Sequence, residues 1–325
     1  MPLAPPILPT LPILPTLSAL PTLPTLPTLP TLPTPSTLST LSTLSTLSTL
    51  PTPPTPLAPL DAQQVPVFDT FVVPRFLSLF GSLALRMILP CEGAVVANIG
   101  CRTGYPDTEL PKYLPQCRVC GYDPSEEAIE LARAKAVLLR GCKAEYTVAR
   151  DAPLPFAPAS FSHVICLYPL VHPSCKTELV SEAVRLVAPR GQVLFALPLR
   201  GSYQEIVDIL KEYALKHDVE GMAGALDSWQ STRPTIETFC EVFEDCGLKE
   251  VDVEVQQVSL PFESGREFLE DPITRLMVLP DLRTLLGLNH IEQSLDYVQL
   301  AIDRYWSKSR LDLSVNIGCA SGNGT

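Results

Sequence analysis

The residues best placed to do chemistry lie in one short stretch. Ala94-Val95-Val96-Ala97-Asn98-Ile99 reads as a buried strand, and Gly100-Cys101-Arg102-Thr103-Gly104 follows it as a loop. Glycines in a turn after a strand let a ligand approach the backbone closely. A second strand, 117–122, ends at Asp123, about 20 residues past the loop. A carboxylate there is placed to bind the two ribose hydroxyls of a nucleotide-like cofactor. His172, in Tyr168-Pro169-Leu170-Val171-His172-Pro173, follows the fourth strand of the chain at its carboxyl end. It is the best candidate for a general base, against the plainer reading of a loop histidine that caps the next helix. Tyr168 either contacts substrate or packs.

The elements that position these residues alternate. After Asp123, Ser125 is a good helix N-cap, and 126–139 carries Ala128, Ile129, Leu131, Ala132 and Ala136 at helical spacing. A third strand is expected at 143–148, a fourth at 161–167, a helix at 174–187 and a fifth strand at 192–197. The stretch 106–115 is expected to be helical, with Pro106 at its start. Such alternation predicts a doubly wound, mostly parallel α/β sheet. Helices are further expected at 203–217 and 235–246. Leu248–Val258 alternates as a long strand. Residues 263–308 look helical, broken at Pro272 and Pro280, and form either an inserted cap over the substrate side or a packing appendage. Leu311–Ile317 is expected as the last strand, antiparallel to 248–258. The run Val315–Gly322 echoes the loop after the first strand; we read it as a coincidence of strand composition.

The order and spacing of these segments carry a resemblance. Val-Ala-Asn-Ile-Gly-Cys-Arg-Thr-Gly, then Gly-Tyr-Asp-Pro-Ser, then Asp-Ala-Pro-Leu-Pro-Phe-Ala-Pro-Ala-Ser-Phe resembles the class I S-adenosylmethionine-dependent methyltransferases, most closely the branch called methyltransferase type 11, over about 66–258. The resemblance implies a Rossmann-like, doubly wound sheet of seven strands, mostly parallel, with an antiparallel last strand and a helical insertion. It implies S-adenosylmethionine as cofactor. Gly100 and Gly104 would pass under its methionine part, and Asp123 would hold the ribose. Asp151 would take the adenine amino group, and Ala152 would pack at the ring. Leu167 would line the methionine side, and Phe68 would close over the cofactor. The sequence departs from the family at three places. Asn98 stands where an acid is usual, Arg102 where Gly is usual, and Ser162 where Asp is usual. Asn98 would still hydrogen-bond the cofactor, without the charge attraction. Arg102 either enters the cofactor space or points outward.

Composition narrows the function. Residues 1–60 hold 17 of the 35 prolines and no charge, as a Leu-Pro-Thr and Leu-Ser-Thr repeat. This segment is read as a disordered low-complexity tail, or else as a proline-rich docking segment for a protein partner. Residues 61–325 are read as the methyltransferase domain, with 263–308 its cap insertion. A net charge of −11 offers no basic field for nucleic acid. No apolar run of membrane-spanning length is expected in 61–325. The ten cysteines are scattered, which suits a reduced, cytoplasmic protein without a metal site. The expected activity is methyl transfer to a small-molecule or carrier-bound substrate. The alternative is a catalytically degenerate methyltransferase fold that serves as a binding or regulatory module. A weaker third is an enzyme of this fold with another nucleoside cofactor.

Overall fold

The structure is a computed structural model, and it describes residues 59–149, 153–169, 176–286 and 288–325. The tail expected over 1–60 lies outside the described residues except for its last two. So do Asp151, Ala152 and His172.

Seven strands form one sheet, ordered β3-β2-β1-β4-β5-β7-β6. They are β1 (Val95–Ile99), β2 (Cys117–Asp123), β3 (Cys142–Val148), β4 (Phe161–Leu167), β5 (Val187–Pro198), β6 (Lys249–Phe262) and β7 (Leu311–Asn323). β1 to β5 run parallel, and β7 runs antiparallel between β5 and β6. The expected fold class and the antiparallel last strand are therefore present. β1 and β4 are buried along nearly their whole length, as the central strands of a sheet covered on both faces must be. The strand order reverses between β1 and β4, and ligands of such sheets bind outside the carboxyl ends of the strands at that crevice.

Helices cover both faces. α1 (Gln64–Met87) precedes the sheet, α2 (Glu126–Ala136) joins β2 to β3, and α3 (Lys176–Leu186) joins β4 to β5. α4 (Gln204–Lys216), α5 (Met222–Ser231) and α6 (Ile236–Asp245) lie between β5 and β6. Ser125 caps α2 by accepting from the Ala128 amide, as expected. Thr235 and Thr238 form a reciprocal capping box on α6. The insertion follows β6 as α7 (Gly265–Glu270), a π-helical turn (Thr274–Val278), α8 (Leu279–Leu286) and α9 (Leu288–Tyr305). It joins the same apolar cluster as α1, through Phe268, Ile273, Met277 and Val278. An ion pair of 2.8 Å between Arg75 and the buried Asp271 ties α1 to the start of the insertion.

Three expectations need correction. The stretch 106–115 is a series of turns with one short 3₁₀ segment, Leu110–Lys112, and not an α-helix. Pro111 and Pro115 remove amide donors and crowd the preceding turn, so helical bonding cannot propagate. α5 was not anticipated, because it is short, carries Gly224 and starts after the left-handed Gly221. Finally, α1 is 24 residues long and contains an 18-residue window of mean hydropathy 1.4, enough in length and composition to cross a membrane. Phe68, Val72, Phe76, Phe80 and Leu83 on one side of it are buried in the core, which accounts for much of that apolarity.

Candidate functional site

The loop after β1 turns left-handed at three alternate positions. Gly100, Arg102 and Gly104 have φ of 70°, 48° and 85°. Glycine adopts this conformation freely, whereas for Arg102 it costs about 1 kcal/mol. A Cβ added to Gly100 would meet nothing within 4 Å, so this end of the loop faces open space. A Cβ on Gly104 would lie 2.9 Å from the Tyr146 hydroxyl, so that glycine serves packing. The Cys101 amide donates to Tyr122 O at 2.9 Å and fixes the loop to the end of β2.

Asp123 stands at that end. Its two carboxylate oxygens accept from the Arg102 amide at 2.9 Å and the Ser125 amide at 3.0 Å. It thus holds the loop and the start of α2 together. Burial pushes its pKa up, and those amides and the Arg102 charge pull it back. The resemblance gives this carboxylate to the ribose, and a carboxylate with two bonds still has lone pairs to accept more.

Asn98 is buried at the end of β1. Its amide nitrogen donates to Tyr105 O at 3.2 Å and to Asp107 Oδ1 at 2.8 Å. Asp107 Oδ2 accepts from the Tyr146 hydroxyl at 2.7 Å. The acid absent at 98 is therefore present nine positions later, sharing a hydrogen bond with Asn98. Neither Asp107 nor Tyr146 was singled out in the sequence. Only the pairing of an amide at 98 with an acid at 107 carried the signal, and that needs the loop geometry to be seen.

Asp107 is fully buried, and burial raises its pKa from 3.8 to about 6 against the pull of Tyr146 and Asn98. The folded chain therefore holds this proton more tightly than the unfolded one. The stability it contributes is complete below about pH 4 and is lost as pH rises through about 6, roughly 2–3 kcal/mol in all. Asp107→Asn keeps an acceptor for Asn98 and turns a donor to the Tyr146 oxygen. We predict that urea unfolding from pH 4 to 7 shows this loss in the wild type and not in the variant. Parallel stability profiles for the two proteins would refute it.

Arg102 decides the shape of the cleft. Its side chain is 6% exposed and lies inward. One terminal nitrogen donates to Tyr168 O at 2.9 Å and the other sits 3.6 Å from the Met277 sulfur of the insertion. The guanidinium carbon lies 5.1 Å over the Phe68 ring, a cation–π contact. Burial draws the guanidinium pKa down, and Asp123 opposes this most. Phe68 and Leu167 are both buried. Tyr168 is buried too, with φ 48°; its ring packs edge-on to Phe76 and Phe80, and its hydroxyl meets Tyr203 at 3.1 Å and Met277 O at 3.2 Å.

Ser162 lies at the opposite end of the sheet, bridging both backbone polar groups of Val95 at 3.0 Å. His163 beside it is buried between the Ser162 hydroxyl and Leu89 O, and burial lowers its pKa. Its side chain belongs to the sheet's base. Cys117 packs with one core cluster and Cys120 against the other, so the strand sends the two thiols to opposite faces.

The backbone frame fits an S-adenosyl cofactor, and the Arg102 side chain does not. Open space above Gly100, the carboxylate of Asp123, and the buried Thr103 hydroxyl, which has no hydrogen-bond partner, suit a polar ligand. The guanidinium lies over Phe68, which is assigned to that ligand, and against Tyr168 O.

Residues 96–191 match the family model described as a methyltransferase domain. No curated protein matches the chain. Among solved structures, the YcgJ protein of Bacillus subtilis is 14% identical, covers 76% of this chain and 98% of its own, and superposes with a TM-score of 0.46. Phosphoethanolamine N-methyltransferase 2 of Haemonchus contortus, solved with S-adenosyl-L-methionine, is 16% identical, covers 81% of this chain and 57% of its own, with a TM-score of 0.48.

Proposed function

We propose that this chain, which carries a class I methyltransferase domain, transfers a methyl group from S-adenosylmethionine to a small-molecule or carrier-bound acceptor. The observation that supports this most is the coincidence of family match and site. The matched segment begins in β1, contains the left-handed loop and Asp123, and ends in β5, with loop and acid at the carboxyl ends of adjacent parallel strands.

The cofactor supplies a methyl group on a sulfonium, a good leaving group. The protein's task is alignment and exclusion of water. Asp123 would accept from the ribose hydroxyls while it keeps the loop in place, and Gly100 leaves room for the ligand over the backbone. Asp151 and Ala152 are assigned to the adenine side, and His172 to taking a proton from an acceptor that arrives protonated. Tyr168 would contact the acceptor only by giving up its hydroxyl bonds to Tyr203 and Met277. The nine described cysteines are free thiols, which suits a reducing cytoplasm. The acidic net charge favours small acceptors over nucleic acid. The proline-rich tail is the segment assigned to a protein partner.

The second reading, a binding module without turnover, draws on Arg102. Ser162 lies away from the cleft, and Asn98 has its acid in Asp107. A labelled methyl donor offered to the full chain with pools of small acids, amines and carrier thioesters tests both. Label transferred to an acceptor, and lost in Asp123→Ala while the variant remains folded, is the expected result. Unchanged transfer in Asp123→Ala would mean that the site is misplaced. Absence of transfer with every pool, despite bound cofactor, would favour the binding module.

A further inference from the structure

We infer that Arg102 is an internal occupant of the cofactor cleft, that S-adenosylmethionine enters only when this side chain leaves, and that its charge biases the cleft against the methylated cofactor relative to the demethylated one. The inference rests on the methyltransferase reading above. It begins from placement. The same residue that gives its amide to Asp123 lays its guanidinium over Phe68 and against Tyr168 O. Asn98, Asp123, Phe68 and Leu167 are the described side chains assigned to the cofactor, and Arg102 touches two of them, Asp123 through its amide and Phe68 through its guanidinium.

The backbone adds a second observation. Arg102 takes a left-handed φ between two glycines that do the same. The conformation costs a non-glycine residue about 1 kcal/mol, and contacts made by its side chain offset that cost. The guanidinium contacts a carbonyl oxygen, a thioether sulfur and a ring face, all inside the cleft. These contacts are made only while the side chain points inward.

Charge gives the direction of the effect. The guanidinium stays protonated even when buried. S-Adenosylmethionine brings a positive sulfonium, and S-adenosylhomocysteine a neutral thioether. Like charges repel more strongly beside a buried, poorly solvated group than in water. A resident cation therefore penalises the methylated form most. Because one guanidinium nitrogen meets Met277, departure of Arg102 also removes a contact between the loop and the insertion.

Calorimetric titration of the full chain with S-adenosylmethionine and S-adenosylhomocysteine, in wild type and Arg102→Gly, tests this. We expect the variant to bind S-adenosylmethionine at least about tenfold more tightly than wild type, and to gain less for S-adenosylhomocysteine. Met277→Ala, which leaves the loop backbone untouched, should show a smaller gain in the same order and serves if Arg102→Gly does not fold. Wild type binding S-adenosylmethionine as tightly as the variants would overturn the occupant while leaving the methyltransferase reading intact. Equal gains for the two ligands would overturn the charge bias. Folded variants that bind neither ligand would bring down the inference and the cofactor reading together.

Discussion

Asn98→Asp is expected to destabilise the protein by about 3–5 kcal/mol at pH 7, and by much less at pH 4. Asn98 Nδ2 lies 2.8 Å from Asp107 Oδ1, and both side chains are buried. An aspartate at 98 would turn that donor–acceptor contact into two carboxylates facing each other without solvent. One of them must take a proton from water at neutral pH, and the donation to Tyr105 O is lost as well. With Asp107 already titrating near 6, the pair shares a proton freely at pH 4, and most of the penalty vanishes there. The double variant Asn98→Asp, Asp107→Asn moves the acid from 107 to 98 and should recover most of the loss, because the exchanged pair can hydrogen-bond again. Urea unfolding of the four proteins of this cycle measures the coupling directly. Asn98→Asp within about 1 kcal/mol of wild type at pH 7 would refute it. The expected result means that Asn98 is one half of a compensated pair.

Gly265→Ala is the second large effect, and it acts on the insertion. A Cβ at 265 would lie 2.3 Å from the Gln299 carbonyl oxygen and 2.6 Å from its Cα. Both are backbone atoms of α9, so no flexible side chain can move aside. The Gly265 amide also donates to Asp303 at 2.7 Å, which holds the two helices at this separation. Ser264 meanwhile caps α7 on the Glu267 amide and fixes where the helix begins. We expect a loss of about 3 kcal/mol or more, which lowers the melting temperature by roughly 6–12 °C. Scanning calorimetry gives the number, and hydrogen exchange should show the loss first in α7 and α9. A melting point within about 2 °C of wild type would mean that the helices separate at little cost.

Fold and site were legible to different depths. Periodicity placed β1 to β5, α2, α4 and α6, because each buries one face or runs through the middle of the sheet. The glycines of the loop and Asp123 at the end of β2 were visible because spacing along the chain fixes them. Arg102 was visible as a departure, but its direction was not. That depends on Phe68 from α1, Tyr168 after β4 and Met277 from the insertion, three segments far apart in sequence. Asp107 was hidden for the same reason, since its partners come from β1 and β3. The stretch 106–115 misled because apolar spacing was weighed above its prolines. The length of α1 was missed because Asp69, Arg75 and Arg86 interrupt it in sequence while its apolar side remains continuous.

The place of β7 has a consequence for how the chain comes off the ribosome. β7 lies between β5 and β6, so β6 has no neighbour to bond until the insertion and β7 have both been made. During synthesis β5 is an unsatisfied edge, and β6 is a strand without a sheet. Nascent chains with open strand edges are exposed to wrong pairing with other chains. β6 is suited to that wait: Lys249, Glu250, Asp252 and Glu254 put charge along its first half, and most of it remains exposed in the finished protein. The parallel half of the sheet can assemble early from near neighbours, whereas closing the antiparallel half requires contacts distant in sequence. The slow step of folding should therefore be the insertion of β7, last and from the side, between two strands already waiting for it.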